Sequence, residues 1–118
     1  MLHTEMEVWK RSMDLAVEAY NMTSTFPKEE KYGLISQINR AAISIPSNIA
    51  EGAGRHSVKE YLHFLNIATG SASELETLLR LSQRLNYPLK PDLITQYLIP
   101  VQKMLYKQKL SLRSQIKR

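Results

Sequence analysis

The stretch Gln37-Ile-Asn-Arg-Ala-Ala-Ile-Ser-Ile-Pro-Ser-Asn-Ile-Ala-Glu-Gly-Ala-Gly-Arg55 has helical period on two sides at once. Gln37, Arg40, Ser44, Ser47 and Glu51 are spaced three or four apart, so they stack on one face. Ala41, Asn48 and Arg55 continue that side, while Leu34, Ile38, Ile45 and Ile49 form an ordinary core stripe opposite. A helix with one apolar and one small-plus-polar face lies between its own core and a second close neighbour, either another helix or another subunit.

Helix period continues outward from this segment, and no strand alternation competes with it. Upstream, Thr4-Glu-Met-Glu7 fits a capping box, which predicts a first helix over about 4–24 with Met6, Trp9, Met13, Ala16 and Tyr20 turned inward. Phe26-Pro27 ends it. Glu29 and Glu30 suit the positive end of a second helix over about 28–51, with Pro46 as a kink and Gly52 as a left-handed cap.

Ser57-Val-Lys-Glu60 is another capping box and opens a third helix over about 58–86. Tyr61, Leu65, Ala68, Ala72, Leu75 and Leu79 make one row on it. Phe64, Ile67, Ser71, Glu74, Leu78, Leu81 and Leu85 make a second. Gly70, Ser71, Ala72 and Ser73 are small enough for a close neighbour. After Tyr87-Pro-Leu-Lys-Pro91 a fourth helix, about 91–113, turns Ile94, Tyr97, Leu98, Val101, Met104, Leu105 and Leu112 inward, and Pro100 bends or splits it. Four amphipathic helices with short connectors predict one all-α domain over 1–118, an up-down-up-down four-helix bundle.

Composition narrows the function classes. A chain of 118 residues buries a real core without staples. The absence of cysteine excludes disulfides and thiolate catalysis. The acidic N-terminus is unlike a signal peptide, and no stretch approaches the roughly 20 apolar residues a membrane span needs. The expectation is a cytoplasmic protein with no membrane partner.

Net charge is +5, yet from Leu93 onward Lys103, Lys107, Lys109, Arg113, Lys117 and Arg118 stand with no acid at all. Arg80 and Arg84 lie one turn apart on the third helix. Arg80, Arg84, Lys103, Lys107, Lys109 and Arg113 are the candidates for electrostatic nucleic-acid binding. Aromatics are not read as interleaved with them, so stacking on single strands is not expected. The alternative reading is an interaction module for an acidic protein.

Catalytic and metal chemistry find little support. Glu60-Tyr-Leu-His63 has the spacing used by di-iron bundles, but those need two copies. His56, Glu60 and His63 share a face and read as solvated surface. Gly52-Ala-Gly54-Arg55 reads as a helix stop and turn, not as a phosphate nest. The expectation is a protein that is not an enzyme and has no catalytic residue, metal or cofactor.

Three strings carry a family resemblance: Tyr32 to Arg55, Glu60-Tyr-Leu-His-Phe-Leu-Asn-Ile-Ala-Thr-Gly-Ser71, and Ser73-Glu-Leu-Glu-Thr77. They resemble the four-helix-bundle proteins encoded by intervening sequences of bacterial 23S ribosomal RNA genes. Those proteins are related to the accessory variability determinant protein of diversity-generating retroelements. The resemblance covers Val8 to about Tyr87 and implies a ring-shaped homopentamer. In the retroelement branch it also implies a basic surface that binds RNA or DNA and a reverse transcriptase. The family's Asn-Ile-Ala-Glu-Gly string falls on Asn48 to Gly52 and its Gly-Ser on Gly70 and Ser71, while of its double arginine only Arg40 is matched. Taken with the stripe, this predicts a buried polar network of Arg40, Asn48, Glu51, Arg55, Ser71 and Glu74, with Arg40 or Arg55 paired to Glu51 or Glu74.

Overall fold

A computed structural model describes residues 2–116 of the chain. It is an all-α four-helix bundle of 50 × 22 × 21 Å. Helix α1 spans Glu7–Thr23, α2 Leu34–Ala53, α3 Val58–Arg84 and α4 Ile99–Ile116. Short 3-10 turns at His3–Glu5 and Lys28–Glu30 precede α1 and α2, and a π-helical segment, Leu93–Leu98, leads into α4.

Cross-helix contacts establish the antiparallel order. Thr23 at the end of α1 donates to Asn39 early in α2 at 3.0 Å. The last turn of α2 packs on the first turns of α3 around Gly52, Tyr61 and Phe64. Gln102 of α4 donates to Glu76 of α3 at 3.0 Å. Lys90, just before the π segment, pairs with Glu18 of α1 and closes the cycle. Leu15, Ile38, Ile45, Ile49, Leu65, Leu75, Leu79, Leu98 and Leu105 fill the centre with no solvent exposure.

Helix α1 does not start on its expected capping box. Thr4 lies in the 3-10 turn, Met6 is extended, and no side chain caps the first turn of α1. Its inner face also differs from expectation. Val8, Ser12, Leu15, Ala19, Met22 and Thr23 are buried, while Met13 and Tyr20 are 40% and 45% exposed. Two apolar stripes compete on this helix. The one with small residues at Ser12 and Ala19 faces the core. Its polar members are satisfied at little cost: the Ser12 hydroxyl donates to the Trp9 carbonyl at 2.8 Å, and Thr23 donates to Tyr20 and Asn39. Of the bulkier stripe, Met6, Trp9 and Ala16 pack half-buried against the edge of the core, and Met13 and Tyr20 are left outside with Val17.

The α2 core stripe is as expected, but the ends of α2 are not. Residues 28–30 form a separate turn, and Glu30 works as a clasp. One carboxylate oxygen accepts the Leu34 amide at the start of α2 at 3.3 Å, and the other accepts the Tyr87 hydroxyl at 2.7 Å. Helix α2 continues through the buried Pro46 and past Gly52 to Ala53. No glycine has positive φ, so Gly52 is not a left-handed cap and the 52–55 segment makes no nest. Its role is close packing: a Cβ there would lie 2.9 Å from both the Phe64 Cβ and the Tyr61 ring.

Half of the Ser57 capping box forms, with the hydroxyl capping α3 and the Glu60 carboxylate meeting that hydroxyl and not the Ser57 amide. The Ser57 hydroxyl accepts the Glu60 amide at 3.0 Å and faces the Glu60 carboxylate at 3.4 Å. Helix α3 closes in a Schellman motif. Asn86 takes φ 61°, and the amides of Asn86 and Tyr87 donate to Gln83 and Ser82, both at 3.0 Å. The row containing Leu65, Ala68, Ala72, Leu75 and Leu79 is the core row, whereas Ile67, Leu81 and Leu85 are exposed.

At Pro100 the fourth helix changes type without a gap, the π-helical Leu93–Leu98 running directly into α4 at Ile99. The backbone widens ahead of it, with the Ile99 amide donating to Ile94, and this π turn relieves the clash between a proline ring and the carbonyl four residues back.

Two glycines make opposite predictions. Gly52→Ala should cost about 1–2 kcal/mol, because overpacking at a backbone contact outweighs the helix propensity gained. Gly70 has no atom within 4 Å of a built Cβ. Gly70→Ala should therefore stabilise the protomer by about 0.5–1 kcal/mol. Chemical denaturation of the two variants checks both signs.

Candidate nucleic-acid interface

Helix α4 buries Val101, Leu105, Lys109 and Leu112 against the bundle. Its opposite side carries Lys103, Tyr106, Lys107, Leu110 and Arg113, all exposed and spaced to share one face. None of the three cations on this face has an ion-pair partner among the described residues. Tyr106 is 60% exposed and stands between Lys103 and Lys107. The basic face is therefore interleaved with an aromatic, which corrects the expectation from sequence. The signal was present in Lys103-Met-Leu-Tyr-Lys107, where Tyr106 follows Lys103 by three residues. Ile99, Gln102, Lys103, Tyr106 and Lys107 line a shallow depression of about 300 Å³.

The six candidate cations do not act as one set. Lys109 occupies the core row and is only 8% exposed. Burial, then the neighbouring Arg113 charge, pushes its ammonium below the usual lysine range. Its aliphatic stem covers the bundle, so it is not part of the outer face. Arg80 is exposed but tied to Glu76 at 2.9 Å. Glu76 also accepts from Gln102, and those two hydrogen bonds, Gln102's first, hold its carboxyl below the ordinary glutamate value. Arg84, one turn further on, is exposed and has no ion-pair partner among the described residues. It lies near the start of the fourth helix, away from Lys107 and Arg113. The C-terminal Lys117 and Arg118 lie outside the described residues.

The expected polar network is smaller than predicted and is not buried within the protomer. Asn48 donates to the Ser44 carbonyl at 2.8 Å and to its hydroxyl at 3.0 Å, and the Ser44 and Ser71 hydroxyls meet at 2.7 Å between α2 and α3. Among the described residues Glu51 pairs only with Arg55, two residues past the end of α2, and in solvent. The Arg55 guanidinium lies over the Phe64 ring, 4.7 Å from its centroid. Arg40 and Glu74 are exposed, so no charge crosses from α2 to α3. The helical phase explains this: Arg40, Ser47 and Glu51 point outward from α2, while Ser44 and Asn48 point along its contact with α3. An exposed pair such as Glu51–Arg55 contributes only about 0.3–0.5 kcal/mol.

The displaced stripe of α1 forms a third surface. Trp9, Met13, Val17 and Tyr20 line a groove of about 560 Å³ with Ile43, Pro46 and Ala50 of α2. Arg40, Tyr32, Tyr20 and Ile43 line the adjoining depression. Glu60 is engaged in the Ser57 cap, and His63 packs edge-on against Phe64 with ring centroids 5.2 Å apart. Among the described residues no three His, Asp or Glu side chains converge as a metal site. No helix among them is long and apolar enough to cross a membrane.

Lys109→Met should raise stability by about 1 kcal/mol near pH 7, where the native state holds a disfavoured charge. The unfolded chain binds that proton more tightly, so wild-type stability rises as pH climbs through the lowered native value toward the ordinary one. The advantage of Lys109→Met should shrink between pH 7 and pH 10.5, as paired melting curves would show.

Comparison with curated proteins of known sequence gives no match. Among solved structures, a protein of unknown function from the S23 ribosomal protein family of Bacteroides thetaiotaomicron VPI-5482 superposes with a TM-score of 0.75. It is 26% identical, and the match covers 86% of this chain and 97% of that one. The family model described as 23S rRNA-intervening sequence protein matches residues 4–107, and the chain belongs to that family.

Proposed function

We propose that this protein is a noncatalytic accessory subunit that assembles with copies of itself and binds nucleic acid electrostatically. The observation that carries the reading is the outer face of α4, where Lys103, Lys107 and Arg113 stand in a segment without a single acid. Such a face attracts phosphates without reading sequence. Arg84 supplies a further cation, whereas Arg80 is largely neutralised by Glu76.

Self-association is supported by the bulky apolar stripe outside α1. Val17 is 56% exposed and Ile43 44%, and Trp9, Met13 and Tyr20 continue the same groove. Contiguous apolar surface of this kind marks an interface. A homopentamer, as the family resemblance implies, would place Arg40, Glu51 and Arg55 at or beside subunit contacts, where their pairing could cross between chains. The assembly would work in the cytoplasm as a scaffold for a protein partner such as a reverse transcriptase. A second reading keeps the same face but gives it to an acidic protein. The exposed Leu110 beside Lys107 suits it, because an acidic protein can pack an apolar side chain against it.

The test is size-exclusion chromatography with light scattering, with and without mixed RNA, at about 50 and 200 mM salt. An oligomer that takes up RNA at low salt and releases it at high salt is expected. Val17→Glu should reduce the oligomer to smaller species. An oligomer indifferent to RNA at low salt would move the assignment to the acidic partner, and a monomer would remove the subunit-contact role of the α1 stripe.

A further inference from the structure

The outer face of α4 combines three chemistries within two turns: unpaired cations, an exposed aromatic ring, and an apolar depression beside them. We infer that this face binds an unpaired nucleic-acid strand, with one base stacked on Tyr106 and the flanking phosphates held by Lys103 and Lys107. The inference rests on the nucleic-acid reading above and narrows its substrate class from any polyanion to a single strand.

The argument begins with where Tyr106 stands. A tyrosine 60% exposed on the side away from the core contributes little to the bundle. Its hydroxyl has no hydrogen-bond partner among the described residues, so no internal network holds it. Lys103 and Lys107 lie one turn apart, about 6 Å along the helix axis, on either side of it. Ile99 and the Tyr106 ring give the 300 Å³ depression its apolar surface.

The depression has one side of fixed polarity. The Gln102 amide nitrogen donates to Glu76, which also receives Arg80. This leaves the Gln102 carbonyl oxygen as the group free to accept a hydrogen bond. Leu110 extends the apolar surface one turn further, and Arg113 adds a third cation beyond it.

Duplex and single strand use this surface differently. A duplex offers phosphates and keeps its bases stacked on each other, so Tyr106 would find no base face. An unpaired strand offers both a phosphate row and free π-faces, the combination that aromatic platforms beside basic grooves exploit. An acidic peptide would satisfy the lysines but offers the ring a π-face only where it carries an aromatic side chain.

Fluorescence anisotropy of labelled 20-nucleotide oligouridylate and of a 20-base-pair RNA duplex, at matched salt, tests this. The full chain should bind the single strand more tightly. Tyr106→Ala should weaken single-strand binding by about 5- to 150-fold, the loss of one stacked base, and leave duplex binding and the salt slope unchanged. Tyr106→Phe should stay within about twofold of the parent. Lys103→Ala with Lys107→Ala should weaken both ligands and lower the single-strand salt slope by about 1.4. Equal losses on both ligands for Tyr106→Ala, or none, would overturn the inference, as would a change in oligomer size that assigns Tyr106 to a subunit contact. Failure of the parent chain to bind either RNA would sink the nucleic-acid reading itself. Binding that ignores Tyr106 would sink only the single-strand assignment.

Discussion

The close approach of α2 to α3 is the constraint on which the other contacts depend. At Gly52 the two helices meet with no room for a methyl group, and two turns away Ser44 and Ser71 touch hydroxyl to hydroxyl. Those two points fix the spacing and the rotation of the pair. Once Ser44 and Asn48 are turned toward α3, Arg40, Ser47 and Glu51 must face outward on the same helix. The polar face that looks uniform in sequence is thus split into an internal seam and an external edge. The long α3 then offers its remaining apolar row to α4, and α1 closes the fourth side.

Closure by α1 creates the surfaces with functional interest. The side of α1 with small residues fits against the core, and its larger side chains are left to line a groove with Ile43 and Pro46. On α4 the core row accepts Lys109 by burying its stem, which leaves the outer face to Lys103, Tyr106, Lys107 and Arg113. The apolar groove and the basic face therefore lie on different helices, so the proposed self-association and the proposed ligand binding would not compete for one surface.

Much of the fold was legible from periodicity. The α2 core stripe, the Ser57 cap and the core row of α3 each rest on a single unambiguous pattern. Helix α1 was not legible in the same way, because both of its stripes have helical spacing and total hydrophobicity favours the wrong one. Packing chooses by shape, and the smaller stripe permits the closer fit. Gly52 misled because glycine near a helix end suggests a cap, while the clash that requires it involves Phe64 and Tyr61, known only once α3 is folded back. Lys109 was counted by charge, though its spacing with Leu105 and Leu112 marks the core row. Tyr106 follows Lys103 by three residues, but only the buried row of Val101, Leu105 and Leu112 shows that both side chains leave the bundle on the same face. Arg40 and Glu74 share their helical spacing with the seam residues Ser44 and Ser71, so spacing alone did not mark them as exposed.

The helices end at different heights, and that has a consequence for how the molecule yields. The start of α1 lies beside Met104, Lys107, Gln108 and Ser111, yet α4 runs on to Ile116, about 12 Å beyond Gln108. Beyond Gln108 only Lys109 and Leu112 of α4 are buried, with Leu112 the last buried side chain. Fewer apolar contacts mean a lower free energy of local opening, so amides around Arg113 should exchange with solvent well before those around Leu98. A ligand that needs Arg113 must first quiet this fraying tip. For the proposed ligand, the tip would trade order for affinity, so binding strength would be adjusted in the last two turns of α4 without disturbing the core.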